Sequence, residues 1–337
     1  MILNYRNKLI DTFRLLKSIT FLRLYNIILI DSSFFISYLL KKSIHIGMPV
    51  SVSVEPTTSC NLHCPECPSG KRIFTRPTGS LTVDLFLTII NDIKRSIVYL
   101  TLYFQGEPYL NHYFFTFIKE ARQRNVYVAT STNGHFLDKE IAKKTIESGL
   151  NRIIISVDGA YQESYEMYRK GGNLEKVKEG IKNLVETRNE GKNTLYIILQ
   201  FIVFKFNEEE IKDIIALAKH LGVDELQLKT AQIYDYQKGS PLIPSNNKYS
   251  RYKKKDDGTY QLKKQTKNKC FRMWSSCVIS WDGLVVPCCF DKDAEFKMGD
   301  LKKESFKTIW NCTKYNDFRN EILKNRKTIS ICNNCSE

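Results

Sequence analysis

The chain has 337 residues, 42% hydrophobic and 12% aromatic, enough to build a sizeable core and to exclude global disorder. Its formal charge is +15, from 51 Lys and Arg against 36 Asp and Glu. That balance favours anionic partners, but the basic residues are spread along the whole chain, so a nucleic acid is not the expected partner. Ten cysteines without a signal-peptide pattern argue against a secreted disulfide scaffold; they suit a reducing cytoplasm, where such cysteines serve as metal ligands or catalysts.

Residues 1–45 are basic and apolar together. Leu9, Phe13, Leu16, Leu24, Ile27, Ile28 and Phe35 fit a helical stripe, and Arg23, Asp31 and Lys41 divide the apolar stretch into short pieces. No uninterrupted run of eighteen apolar residues occurs, so no membrane-spanning helix is expected. Two readings of a 1–47 helical extension stay open: a segment packed on the rest of the protein, or peripheral contact with an anionic membrane.

From residue 51 to 230 the pattern alternates. Strand-like runs occur at 51–55, 97–104, 126–130, 152–157, 195–204 and 224–229, and helix-like stretches at 83–95, 111–124, 137–148, 173–190 and 207–221. Asp84, Asp138 and Asn207 lie near three helix starts, and Gly149 and Gly222 follow two ends. Six strands alternating with helices predict a parallel sheet with right-handed crossovers over 48–230. The count falls short of a closed eightfold barrel. Chemistry in such folds sits on loops at the strands' C-terminal ends.

The first strand, Ser51-Val52-Ser53-Val54-Glu55, stops at Pro56 and leads into Cys60, Cys64 and Cys67 at Cx3CxxC spacing. A structural zinc site takes four closed ligands, and an iron–sulfur cube usually takes four thiolates. Three thiolates leave one iron without a protein ligand and open to a small molecule. A zinc loop and three unrelated core cysteines are the alternatives. Later strand ends carry Gln105-Gly106-Glu107-Pro108, Ser131-Thr132-Asn133-Gly134 and Ser156-Val157-Asp158-Gly159. Each alone is an ordinary turn signal; their regular placement is not. Arg169 follows in a Gly-rich segment, and Gln200 is polar within an apolar strand.

Residues 231–269 turn polar and charged, with prolines at 241 and 244, and read as a long connection with little regular structure. Tyr234 and Tyr236 either line the open mouth or pack beneath this connection. Seven cysteines follow residue 269. Asp282-Gly283 is a tight-turn pair between β-rich runs, and the resulting hairpin brings Cys270 and Cys288 together. Cys332 and Cys335 form a terminal CxxC pair, so four thiolates suffice for one closed cluster, with a four-cysteine zinc site as the alternative. Cys277, Cys289 and Cys312 are left over, Cys289 being a substitute for its neighbour Cys288.

These motifs resemble the radical S-adenosylmethionine (SAM) enzymes, whose signature is Cx3CxφC with φ usually aromatic. Here Glu66 stands at φ. Gln105-Gly106-Glu107-Pro108 is similar to the family's GGEP motif, with Gln105 in place of the first glycine. Residues 270–337 resemble the SPASM/twitch extension in its shorter, single-cluster form. The resemblance implies a partial (β/α)6 TIM-like barrel with a small Cys-rich C-terminal domain. It implies a SAM-binding [4Fe-4S] cluster on Cys60, Cys64 and Cys67, and an auxiliary [4Fe-4S] cluster on Cys270, Cys288, Cys332 and Cys335. It assigns SAM contacts to Gly106, Glu107, Pro108, Thr132, Asn133, Ser156, Asp158 and Arg169. It further implies reductive SAM cleavage to a 5′-deoxyadenosyl radical that takes hydrogen from a peptide, a protein or a small alcohol. In what the resemblance implies, the auxiliary cluster either accepts an electron from the substrate radical, making the net reaction a two-electron oxidation, or binds substrate, or only holds the fold; a reductant such as flavodoxin or ferredoxin is the implied partner. A nucleotide-modifying radical SAM cyclase and a non-catalytic electron carrier are the competing readings. The C-terminal Cys335-Ser336-Glu337 counts against the cyclase, whose relatives usually end in a GG tail.

Overall fold

In chain order the computed structural model contains α1 (Tyr5–Lys17), α2 (Phe21–Leu40), β1 (Ser51–Val54), α3 (Pro68–Lys71), α4 (Val83–Ile93), β2 (Tyr99–Thr101), α5 (Phe114–Gln123), β3 (Tyr127–Thr132), α6 (Lys139–Glu147) and β4 (Arg152–Ser156). It continues with α7 (Gln162–Tyr168), α8 (Leu174–Glu190), β5 (Tyr196–Val203), α9 (Ile211–His220), β6 (Glu225–Thr230), β7 (Tyr252–Lys254), β8 (Tyr260–Leu262), α10 (Arg272–Ser275), β9 (Ser276–Ile279), β10 (Leu284–Val286), β11 (Gly299–Asp300), α11 (Phe306–Trp310) and α12 (Thr313–Asn325). Residues 4–264 and 267–336 are described.

Strands β1 to β6 lie side by side in sequence order, every neighbouring pair parallel. This is the parallel sheet expected from the alternation, arranged as the partial barrel that the resemblance implies. The helices form where the pattern puts them because caps and apolar spacing agree. In α4, Thr82 accepts the Leu85 N–H at the N-cap, and Phe86, Ile89, Ile90 and Ile93 bury one face at helical spacing. Asp138 caps α6 in the same way. Asn207 departs from the expected pattern. Its side chain accepts from the Phe204 N–H and donates to the Asp158 carbonyl, so it braces a loop instead of capping a helix.

The C-terminal hairpin does not form a sheet of its own. β9 pairs parallel with the outer edge of β1, Ser51 opposite Ser276 and Val54 opposite Ile279, and β10 and β11 continue antiparallel beyond it. One nine-stranded sheet results, in the order β11-β10-β9-β1-β2-β3-β4-β5-β6. An open strand edge is a row of unpaired N–H and C=O groups, and β9 closes it. Buried Glu55, just past β1, fixes the junction: Arg76 donates to both its oxygens at 2.8 and 2.6 Å, and the Trp281 N–H donates at 3.2 Å.

Two expectations need correction. The 231–269 connection holds an antiparallel pair, β7 and β8, with Lys254 opposite Tyr260. Its turn contains Asp257-Gly258, Gly258 at φ +80°. No apolar alternation marks β7 in the sequence, because charged lysines fill it. Tyr252 anchors it: the hydroxyl accepts from the Ile233 N–H at 2.8 Å and donates to Asn334 at 2.9 Å. Tyr236 stacks on Tyr252 with ring centroids 4.5 Å apart, so it packs beneath the connection, while Tyr234 is exposed.

The second correction concerns the N-terminal extension. α1 and α2 are helices packed on the barrel, but not through their apolar stripe. α1 faces the barrel with Asn7, Asp11 and Arg14. Asn7 donates to Asp224, Asp11 accepts from the Tyr127 hydroxyl and pairs with Arg152, and Arg14 donates to the Thr194 carbonyl. α2 faces inward with Arg23, Asn26, Ser33 and Ser37. Arg23 donates to the carbonyls of Ser18, Lys94, Arg124 and Asn125, and Asn26 exchanges two hydrogen bonds with the Met48 backbone. Polar side chains turn inward because the loops under the strands present carbonyls that need donors. At 20 residues, α2 is also long and apolar enough by composition to cross a membrane, although Arg23 and Asp31 interrupt its apolar run.

Candidate functional site

The Cys60–Cys67 loop leaves the C-terminal end of β1 and is held by three neighbouring strand ends. Gly106, after β2, takes φ +71°, and a side chain there would stand 2.3 Å from the Thr57 carbonyl oxygen. Only glycine lets that backbone close on the cysteine loop. The Gly106 N–H donates to Ser69 at 2.9 Å and the Glu107 N–H to the Ser59 carbonyl at 2.7 Å. After β3, Asn133 donates to Asn61 at 2.8 Å and lies 3.9 Å from the Cys60 sulfur. Arg169, past α7, sets Nη1 3.8 Å from the Cys64 sulfur. Glu66 accepts from the Tyr234 N–H at 3.0 Å, tying the loop to the segment after β6.

Cys60, Cys64 and Cys67 line one cavity of about 460 Å³ that opens along the inner face of the sheet. Gly106, Glu107, Thr132, Asn133, Ser156, Arg169 and Gln200 line it too. Asp158 and Pro108 do not. Asp158 is fully buried behind the wall: one oxygen takes Arg169 Nε at 2.6 Å, the other the Ile202 N–H at 2.7 Å. Pro108 opens a single turn of 3₁₀ helix. Buried Glu107 accepts from the Thr132 hydroxyl at 2.7 Å and the Asn133 N–H at 2.8 Å. Burial outweighs these bonds and pushes its carboxyl up to about 7. Burial likewise pushes the Cys60 thiol up to about 11 and raises Cys64, which the Arg169 charge opposes.

Among the described residues no three His, Cys, Asp or Glu side chains stand together tightly enough for a single ion. A zinc site needs its sulfurs at about 2.3 Å from one metal. Three thiols set around a roomy cavity of mixed polar and apolar lining suit a larger group, and the cavity leaves space beside them for a ligand.

The second cysteine set converges as well. Cys270, Cys288, Cys332 and Cys335 line one small pocket walled by Met273, Phe290, Phe318 and Ile322. Arg326 Nη2 stands 3.1 Å from the Cys335 sulfur. Burial raises the thiols of Cys270, Cys288 and Cys332. The leftover cysteines have other places. Cys277 is buried in β9, Cys312 caps α12 by accepting from the Tyr315 N–H, and Cys289 is exposed beside Cys288. A neighbouring cavity lined by Cys288, Cys289 and Ser53 shares Tyr99 and Thr101 with the first, so the two sites flank a common barrel wall.

Lys229, Arg251 and Lys292 also line the main cavity. They come from β6, from the approach to β7 and from the loop after Cys289. No local motif marks them, because each is an ordinary lysine or arginine until the chain folds.

Family comparison matches residues 54–224 to the Radical SAM superfamily and residues 270–336 to SPASM, an iron–sulfur cluster-binding domain. The chain is 29% identical over 313 residues to the tungsten-containing aldehyde ferredoxin oxidoreductase cofactor-modifying protein of Pyrococcus furiosus, covering 84% of this chain and 86% of that protein. It is 26% identical over 300 residues to the AdoMet-dependent heme synthase of Methanosarcina barkeri, covering 78% and 82%. In fold it is similar to Streptococcus suis SuiB bound to precursor peptide SuiA, with a TM-score of 0.63 at 12% identity over 86% of this chain and 71% of that one.

Proposed function

The chain belongs to the radical SAM superfamily and carries a SPASM iron–sulfur domain, and from that premise we propose that it oxidises an anionic peptide or small molecule held by Lys229, Arg251 and Lys292. The class is an oxidoreductase or maturase-type enzyme that uses SAM and [4Fe-4S] clusters. Cys60, Cys64 and Cys67 hold the first cluster in this reading, and Cys270, Cys288, Cys332 and Cys335 the auxiliary one. When bound, the first cluster with SAM would supply radical hydrogen-atom chemistry at Cys60, Cys64 and Cys67, and the auxiliary cluster would supply an electron acceptor at Cys270, Cys288, Cys332 and Cys335.

The chain's own residues do the placing. Glu107, braced by Thr132 and the Asn133 N–H, offers its carboxylate to the SAM amino group. Asp158 fixes the Arg169 guanidinium so that one edge faces Cys64 and the cavity. Ser156 and Gln200, opposite each other on β4 and β5, both line the cavity, where they would meet the adenosine. The buried wall behind them excludes water, which strengthens each of these contacts. A flavodoxin or ferredoxin is the reductant.

The observation that carries the reading is the meeting of Lys229, Arg251 and Lys292, besides the paired Arg169, with three cysteines around one cavity. Deuterated candidates tested with reduced holoenzyme are expected to pass label into 5′-deoxyadenosine only when they bear a carboxylate or phosphate. Lys229→Ala and Arg251→Ala should each raise the KM for such a substrate about tenfold or more, because a charge-assisted hydrogen bond contributes about 1.5–3 kcal/mol. Equal label transfer from the neutral ester or amide would overturn the anionic assignment.

Glu107 gives a pH signature. Its carboxyl titrates at about 7 instead of 4.5. Without ligand the folded chain therefore loses stability as pH rises from about 4.5 to about 7. A cationic amino group, in contrast, binds better as the carboxylate forms. SAM affinity measured by equilibrium binding should rise about tenfold between about pH 6 and pH 8. Glu107→Gln should bind weakly and flatten that rise. A wild-type affinity independent of pH would remove Glu107 from the SAM contact.

A further inference from the structure

The two N-terminal helices are built the reverse of ordinary surface helices. Polar residues make most of their contacts with the barrel, joined on α2 by buried Ile30 and by Phe34 against Phe271 and Trp274, while most of their large apolar side chains face outward. On α1, Tyr5, Leu9, Phe13 and Leu16 form one exposed stripe at helical spacing. On α2, Phe21, Leu22, Tyr25, Phe35, Leu39 and Leu40 are exposed, Phe21 by 83%. An exposed apolar surface carried by two adjoining helices marks an interaction face.

Three observations say what covers it. The first is charge. Arg6, Lys8, Lys17, Lys41 and Lys42 are exposed, whereas the two acids of residues 4–48 are Asp31 and the buried, paired Asp11. The second is where those cations stand. The Lys17 ammonium lies 4.7 Å from the Phe13 ring centre and the Lys41 ammonium 4.0 Å from that of Tyr38, so charge and apolar surface meet on each helix. The third is orientation. The anchors of α1 and α2 are Lys94, Arg124, Thr194 and Asp224, which precede β2, β3, β5 and β6. The apolar face thus covers the N-terminal ends of the strands, and the cysteine loop opens at their C-terminal ends.

We propose that α1 and α2 dock the protein on an anionic phospholipid bilayer. The apolar side chains enter the boundary between headgroups and acyl chains, the lysines reach lipid phosphates, and the catalytic mouth points to the aqueous side. A second copy of the chain fits this face poorly, since self-association would set two cationic rims against each other. α2 lies on the membrane instead of crossing it. Crossing would strip Arg23 of its four carbonyl partners and Asn26, Ser33 and Ser37 of theirs.

The test uses full-length holoprotein in flotation with vesicles of phosphatidylcholine mixed with phosphatidylglycerol, against pure phosphatidylcholine. Binding should be about tenfold or more tighter on the mixed vesicles. The combination Phe13→Gln, Phe35→Gln and Leu39→Gln changes exposed side chains only. It should abolish flotation while circular dichroism and iron content stay as in the wild type. Lys8→Gln with Lys17→Gln should weaken binding to the mixed vesicles about thirtyfold and leave any residual binding to neutral ones unchanged. Three results would overturn the proposal: wild-type protein that floats with neither vesicle, flotation untouched by the apolar substitutions, or a solution dimer that those substitutions split into monomers.

Discussion

Protein with Cys60, Cys64 and Cys67 all changed to Ala, reconstituted anaerobically, is expected to form no 5′-deoxyadenosine from SAM and to keep about four of about eight irons per chain. The three sulfurs line the cavity that also presents Glu107, Asn133 and Arg169, and among the described residues no other cysteine does. The second set lies in a separate apolar pocket with its own four thiols. Iron content should therefore halve and not vanish, and the remaining spectroscopic signal should be that of a fully ligated cluster. Replacing Cys332 and Cys335 should do the converse, sparing the first cluster and damaging turnover or folding. Iron analysis with deoxyadenosine chromatography reads both. Triple-variant protein that still cleaves SAM, or wild-type protein that takes up zinc alone, would dismantle the assignment.

Asp158→Ala should destabilise the fold by about 3–5 kcal/mol, the cost of leaving a buried charge without its partner. Asp158 is fully buried, and its oxygens serve both Arg169 Nε and the Ile202 N–H on β5. Its loss strands a guanidinium that is only 14% exposed as well as a backbone donor. Thermal or denaturant unfolding of the variant measures this. The pair Asp158→Leu with Arg169→Met separates structure from function. An apolar pair of similar size is often neutral or better than a buried ion pair, so most of the stability should return. SAM cleavage should not, because the charge beside Cys64 and the cavity is gone. A double variant as active as the wild type would make Arg169 a purely structural residue.

The motif loops were legible because their spacing is local. Cx3CxxC after an alternating strand, Thr132-Asn133-Gly134 and Ser156-Val157-Asp158-Gly159 each occupy a strand end that the periodicity already places. The same holds for the Asp282-Gly283 hairpin, whose turn residues demand it. Asp158 shows where local reading stops. Its position after β4 was visible, but its direction was not: it points away from the cavity toward Arg169 and β5, and so acts on the site only through Arg169. Lys229, Arg251 and Lys292 had no signal at all. They lie 22 and 41 residues apart, counting from 229 to 251 and from 251 to 292, and meet only through the folds of the intervening chain.

The amino-acid order alone determined the repeating strand–helix pattern, the loop of three thiols and the four-thiol tail, since side-chain period, turn chemistry and ligand count act over a few residues. Tertiary structure decided how those pieces are used. β9 found the open edge of β1, joining the two cysteine sets in one sheet. The carbonyls under the barrel needed donors, so α1 and α2 turned their polar seam inward and, Ile30 and Phe34 apart, left most of their apolar side chains outside. Periodicity defines the faces of a helix, but which face is buried depends on what the rest of the fold leaves unsatisfied.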